Sequence, residues 1–236
     1  MDFKNKVVIV TGAGRGLGKE IARQFALQGA CVTLVSRTEK EIKLNAEEII
    51  SAGGRAIACA ADISQEDDVK GMVKATLDAF GTVDVLVNNA AVHKAIPVSE
   101  LSLDDWNYQI SVNLTGTFLC SREVLPTMLS KKHGKIINIS SSAARYYFPG
   151  FGAYAASKGG IVSFGHTLSE EVKGHGINVN SIYLGLTNTE YTRSRMNVDF
   201  DDIMQPDEVA KVVMFLASDE AAPITGAAID VFGKKN

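Results

Sequence analysis

Val7-Val8-Ile9-Val10-Thr11-Gly12-Ala13-Gly14-Arg15-Gly16-Leu17-Gly18 is the stretch whose reading decides the fold. Four consecutive apolar residues fit a strand covered on both faces. Glycines then make a tight turn, and apolar positions at Ile21, Phe25 and Leu27 continue at helical spacing. The reading is strand, turn, helix. Glycines at 12, 16 and 18 let backbone N–H groups and a helix N-terminus close on a pyrophosphate, where the helix dipole favours negative charge. The strict G-x-G-x-x-G spacing fails, because Leu17 stands where its last glycine belongs. A glycine-rich turn with no ligand is the competing reading, so support has to come from the rest of the chain.

Working outward, strands are predicted at Cys31–Val35, Ile57–Ala60, Val83–Val87, Lys135–Ser140, Ile177–Tyr183 and Ala228–Phe232. Helices are predicted between them: from Thr38, with Glu41 completing a capping box, to about Ser51; from a Ser64 cap through Val69, Met72, Val73 and Leu77; around Trp106–Met128; at Tyr154–Val172; and at Asp207–Leu216. Seven strands alternating with about six helices predict an α/β fold, a single-domain Rossmann fold over residues 1–236 with a doubly wound, seven-stranded parallel sheet and helices on both faces. Ligands of such a sheet sit beyond the carboxyl ends of the strands. Asp62 and Ile63 follow the third strand, and Asn89 and Ala90 the fourth, on that edge. The longest irregular stretch, 188–205, reads as a lid over the site.

The bulk properties agree with one soluble enzyme-sized domain. The 236 residues are 46% hydrophobic and 22% charged, too apolar for disorder. A formal charge of -3 gives no broad footprint for nucleic acid or an anionic membrane. No apolar run approaches a bilayer span, and the first residues lack a secretory pattern, so a cytoplasmic protein without membrane association is expected. Cys31, Cys59 and Cys120 read as buried free thiols. Neither they nor His93, His133, His166 and His175 have metal-ligand spacing, so no metal is expected. His93 lies just past the Asn-Asn-Ala-Ala turn and reads equally as a pocket residue or a solvated loop residue.

Of the six tyrosines, only Tyr154 has a lysine four residues on, at Lys158. On a helix this spacing sets an ammonium beside a phenol. A nearby cation favours phenolate, which suits proton exchange with an alkoxide oxygen. By itself such a pair is usually a surface contact.

The context matches a family. The Thr-Gly-x-x-x-Gly-x-Gly turn from Thr11, the Asn-Asn-Ala stretch at 88–90 and Tyr154-Ala155-Ala156-Ser157-Lys158 stand in the order that resembles the classical short-chain dehydrogenases/reductases, over nearly the whole chain. The pattern looks most like the bacterial 3-oxoacyl-acyl-carrier-protein reductases. The resemblance implies hydride transfer between a nicotinamide and a carbonyl or alcohol, with Tyr154 as proton donor, Lys158 holding the ribose and lowering the Tyr154 pKa, and Ser141 orienting the substrate oxygen; Ser140 and Ser142 are its nearby alternatives. It implies Asn113 as the asparagine that kinks its helix and holds a relay water, and Thr187 and Thr189 as carboxamide contacts. Two departures, Ala91 and Leu184, replace a usual glycine and a usual proline. The resemblance also implies a homotetramer, and an acyl carrier docked by basic residues near the site mouth, with Lys132 retained at one such position and His175 replacing an arginine at the other. A free ketone, sugar or cyclic alcohol is the alternative substrate; a non-catalytic dinucleotide sensor is the alternative class.

NADP(H) is the expected cofactor. An acidic residue at the end of the second strand would bind a ribose 2′-hydroxyl and repel a 2′-phosphate. Here Ser36-Arg37-Thr38 stands there, with no acid before Glu39. Arg37 offers a guanidinium to phosphate oxygens, Ser36 a hydroxyl, and Arg15 a second cation from the glycine turn.

Overall fold

The structure, a computed structural model, describes residues 1–233; the last three residues of the expected domain lie outside the described residues. Seven strands form one sheet in the order β3-β2-β1-β4-β5-β6-β7, all paired in parallel. They are β1 Val7–Thr11, β2 Cys31–Ser36, β3 Arg55–Ala60, β4 Val85–Asn88, β5 Gly134–Ile139, β6 Ile177–Leu184 and β7 Ala228–Val231. Their ends differ from the sequence reading by one or two residues, because apolarity marks which residues are buried and does not mark where ladder pairing stops.

The parallel ladder follows from apolarity on both faces. In β1 every residue is buried. Val8 and Val10 pack into one core with Ile21, Phe25 and Val213, while Ile9 faces the other with Met72, Leu86 and Val124. Strand alternation therefore divides β1 between two helical layers. The helices that cover it are α1 Gly16–Leu27, α2 Glu39–Ser51, α3 Glu66–Phe80, α4 Leu103–Ile110, α5 Gly116–Lys131, α6 Gly152–Val172, the short α7 Glu190–Arg193 and α8 Pro206–Ala217. From β1 the chain winds outward to β2 and β3, then returns to place β4 on the other side of β1. This reversal opens a crevice at the carboxyl ends of β1 and β4.

Three local readings need correction. The single helix expected around Trp106–Met128 is interrupted by a π-helical turn at Ser111–Thr115 between α4 and α5. The Thr38–Glu41 capping box does not form: Thr38 makes no side-chain cap bond, and its N–H donates to Ser36 Oγ (3.1 Å). Nor does Ser64 cap α3, since Gln65 holds that position and the Ser64 hydroxyl donates to Asp62 Oδ1 (2.7 Å). In both cases a strand-end group at the ligand edge captured the capping partner. The segment 188–205 contains α7 and is pinned at both ends, by the Thr187–Met204 bridge and by Asn188 Nδ2 donating to Gln205 Oε1 (2.8 Å). Among the described residues no helix is long and apolar enough to cross a membrane.

Candidate active site

The glycine turn is shaped by close backbone approach. A Cβ on Gly18 would overlap the Gly12 carbonyl oxygen, and one on Gly12, which has φ +68, would lie 2.8 Å from Ala90 Cα. Only glycine lets the start of α1 sit against this turn, and the turn against the β4 loop. Leu17 is buried beside them, so the position that breaks the glycine fingerprint packs into the core. Thr11 joins the two strand ends: its hydroxyl donates to Val87 O (3.2 Å) and accepts from the N–H groups of Asn89 (3.0 Å) and Ala90 (3.1 Å). Asn89 Nδ2 donates to Thr11 O (2.8 Å), so this side chain shapes the crevice wall.

The crevice is a cleft of about 430 Å³ that runs from the glycine turn to Tyr154. Of the expected nucleotide residues, Gly12, Arg15, Gly16, Leu17, Gly18, Ser36, Arg37, Asp62, Ile63, Asn89, Ala90 and Thr189 line it, together with Tyr154 and Lys158. Thr187 does not; it is buried and its hydroxyl donates to Gly185 O (3.3 Å). Arg37 reaches across the cleft to Tyr108, donating to its hydroxyl (3.2 Å), and stands 3.9 Å from the Asp62 carboxylate. The sequence reading missed Glu41. It lines the same end, with Oε2 close enough to overlap a Cβ placed on Gly14 and Ser36 Oγ 3.1 Å from that Cβ. A helical turn beyond the strand end carries Glu41 back toward the turn, and reading only residues 36–39 could not reveal that.

At the other end, α6 carries Tyr154 and Lys158 one turn apart. Burial pushes the Tyr154 phenol up to about 12, against a lowering by the neighbouring Ser141 side chain. Ser141 Oγ also accepts from the Ala143 N–H (3.1 Å). Ser140, an alternative, donates to Lys158 O (2.9 Å). Lys158 does not hold the phenol down as expected. Its Nζ donates to Ile139 O (2.7 Å), lies 5.7 Å from the Tyr154 ring centre, and is brought down by burial to about 8. Burial is the largest cause acting on both groups.

Asn113 sits in the π-turn, fully buried. Its Oδ1 accepts from the Val92 N–H (2.8 Å), and its Nδ2 donates to Val92 O (2.9 Å) and Ser157 Oγ (3.0 Å). It therefore ties the β4 loop to the helix that carries Tyr154. His93, next in that loop, stacks against Phe151 (4.2 Å) and Tyr154 (4.6 Å). Lys132 and His175 are not near the mouth. They precede β5 and β6 at the amino ends of the strands, six β5 residues and on the order of 20 Å from the catalytic edge. Sequence adjacency to a catalytic strand says nothing about which of its ends a residue occupies.

The family model for the short chain dehydrogenases matches residues 6–198. This chain belongs to that family. Across the family the cofactor is a nicotinamide dinucleotide, and this short-chain dehydrogenase has two similar relatives along its full length. It is 36% identical over 247 residues to the (2S)-[(R)-hydroxy(phenyl)methyl]succinyl-CoA dehydrogenase subunit BbsD of Thauera aromatica, covering 100% of this chain and 98% of that one. It is 39% identical over 240 residues to the 3-oxoacyl-[acyl-carrier-protein] reductase of Synechocystis sp., covering 97% and 96%. The cleft residues fit the family cofactor: Gly12, Gly14 and Gly18 leave no room for a Cβ, and Arg15 and Arg37 bring two cations to the same cleft.

Proposed function

We propose that this short-chain dehydrogenase is an NADP(H)-dependent reductase that converts the 3-oxo group of an acyl thioester to an alcohol. The observation that carries the reading is the placement of Tyr154 and Lys158 together at the far end of the cleft that begins in the glycine turn, with the Ser141 side chain acting on the phenol. A bound nicotinamide supplies the hydride. Tyr154 is held protonated by burial, which suits a group that gives a proton to the oxygen of a reduced carbonyl. Ser141 donates a second hydrogen bond to that oxygen and fixes its position. Lys158, one turn along the helix, is placed for a ribose hydroxyl and, when charged, for the oxygen that Tyr154 leaves behind.

The substrate class rests on the relatives. One name puts the carbinol carbon on C2 of a succinyl thioester, the other a ketone at C3 of an acyl chain. Both reacting carbons are β to a carboxyl-level carbonyl. Cofactor choice turns on Arg37, Arg15 and Ser36 against Glu41. Two guanidiniums and a hydroxyl can hold a 2′-phosphate directly, against the Glu41 and Asp62 carboxylates of the same lining, so NADPH is the preferred form. A homotetramer in the cytoplasm completes the proposal, on the family resemblance.

The test is a spectrophotometric panel of acetoacetyl-CoA, an acetoacetyl carrier mimic and cyclohexanone with NADPH and NADH. Thioester reduction with NADPH at the highest kcat/KM is expected. Preference for the cyclic ketone, or for NADH, would overturn the substrate or cofactor assignment respectively.

A further inference from the structure

The His93 imidazole has one nitrogen engaged and one idle. Nδ1 is 3.1 Å from the Tyr191 hydroxyl on α7. Nε2 is shielded from solvent and has no hydrogen-bond partner. The ring lines the cleft, held between Phe151 at 4.2 Å and Tyr154 at 4.6 Å. A shielded nitrogen without a partner destabilises the free protein unless something that enters the site completes it. Phenylalanine would fill the same aromatic stack without that penalty, so packing alone does not account for a histidine here.

We propose that His93 Nε2 donates a hydrogen bond to a second carbonyl or carboxylate oxygen of the substrate, two carbons from the one that Tyr154 protonates, and so selects 3-oxoacyl compounds over simple ketones. This rests on the reductase reading above. In the tautomer proposed, the Tyr191 hydroxyl donates to Nδ1 and the ring hydrogen lies on Nε2, which makes it a donor. The ring stays neutral in the cleft: burial lowers its pKa, and Arg195 lowers it further. The two ring centres are 4.6 Å apart, so once a turn of the imidazole brings Nε2 from its shielded position into the cleft that the ring lines, the two donors can meet the two oxygens of one 1,3-dicarbonyl unit. The contact with Tyr191 also links this recognition to segment 188–205, so an acceptor on Nε2 favours the tautomer that keeps α7 attached.

The experiment compares wild type, His93→Phe and His93→Gln on S-acetoacetyl-N-acetylcysteamine and on 2-heptanone, with NADPH. Phenylalanine keeps the stack and removes the donor; glutamine restores a donor. His93→Phe is expected to lower kcat/KM for the thioester at least about tenfold more than for the ketone, chiefly through KM, and His93→Gln to recover part of that loss. Equal losses on both substrates would mean a structural role, and no loss on either would mean no contact; each overturns the proposal. Thioester binding is measured separately in a Tyr154→Phe background, by quenching of NADPH fluorescence, with and without the added His93→Phe change. If wild type reduces neither compound, the reductase reading falls, while tighter thioester binding by the single variant than by the double variant still supports the contact. Equal binding by the two overturns it.

Discussion

At the scale of single residues, two ionisable groups hold opposite ends of the cleft. Lys158 is buried with its pKa brought from 10.5 to about 8. Below that value the folded protein bears the burden of a buried ammonium, on the order of 3 kcal/mol relative to the unfolded chain. Between about pH 8 and 10.5 the unfolded chain holds this proton and the folded chain releases it, so the Lys158 contribution to stability rises with pH there. Lys158→Met loses one bond to Ile139 O, which is worth about 1 kcal/mol, and removes the larger burden. It is expected to unfold at higher urea than wild type at neutral pH, with the difference vanishing toward pH 10, and to lose turnover. A constant difference across that range would contradict the assigned shift. At the other end, Arg37→Asp places a carboxylate near Glu41 and removes the cation that spans to Tyr108. It is expected to lower kcat/KM for NADPH by about tenfold or more while sparing NADH; undiminished NADPH use would show that Arg37 does not meet the 2′-phosphate. Tyr154, Lys158 and Arg37 were singled out in the sequence by local spacing and strand position, and Ser141 only by the family resemblance. Glu41 and Tyr191, which line the cleft, and Tyr108, which meets Arg37, were not, because each arrives from a different element by tertiary packing.

At the scale of elements, the alternation of strands and helices was readable because the strands are apolar on both faces, and only a parallel sheet buries them. The π-turn was not readable as a turn. Nothing in Ser111–Thr115 breaks helical spacing, and the extra residue is held by Asn113 bonding to Val92 and Ser157. The sign was Asn113, which the family resemblance implies as the asparagine that kinks its helix. The misplaced caps have a related cause: Ser36 and Asp62 lie at strand ends beside the cleft and take the partners that isolated helices would have used. Because Asn113 clamps the β4 loop to α6, Asn113→Ala leaves the Val92 amide and carbonyl without their partners. A loss on the order of 2–4 kcal/mol in urea unfolding is expected, with reduced kcat. A change under about 0.5 kcal/mol would mean that the π-turn is held by packing and not by this side chain.

At the scale of the molecule, the β1/β4 reversal collects groups from distant parts of the chain into one cleft: the glycine turn after β1, Arg37 after β2, the His93 loop after β4, Ser140 after β5 and Tyr154 on α6. The same topology sends Lys132 and His175 to the opposite edge, so docking of a carrier within one chain cannot run through them at this mouth. The edge of the sheet at which a residue emerges thus decides its role more than its distance in sequence from a catalytic group. The central claim is that Tyr154 gives the proton while the rest of the cleft binds cofactor independently of it. The direct measurement is Tyr154→Phe, assayed for thioester reduction and for NADPH affinity by fluorescence. The account predicts a fall in kcat of about 10²–10⁴-fold with NADPH affinity within about threefold of wild type; near-normal turnover by this variant would contradict it.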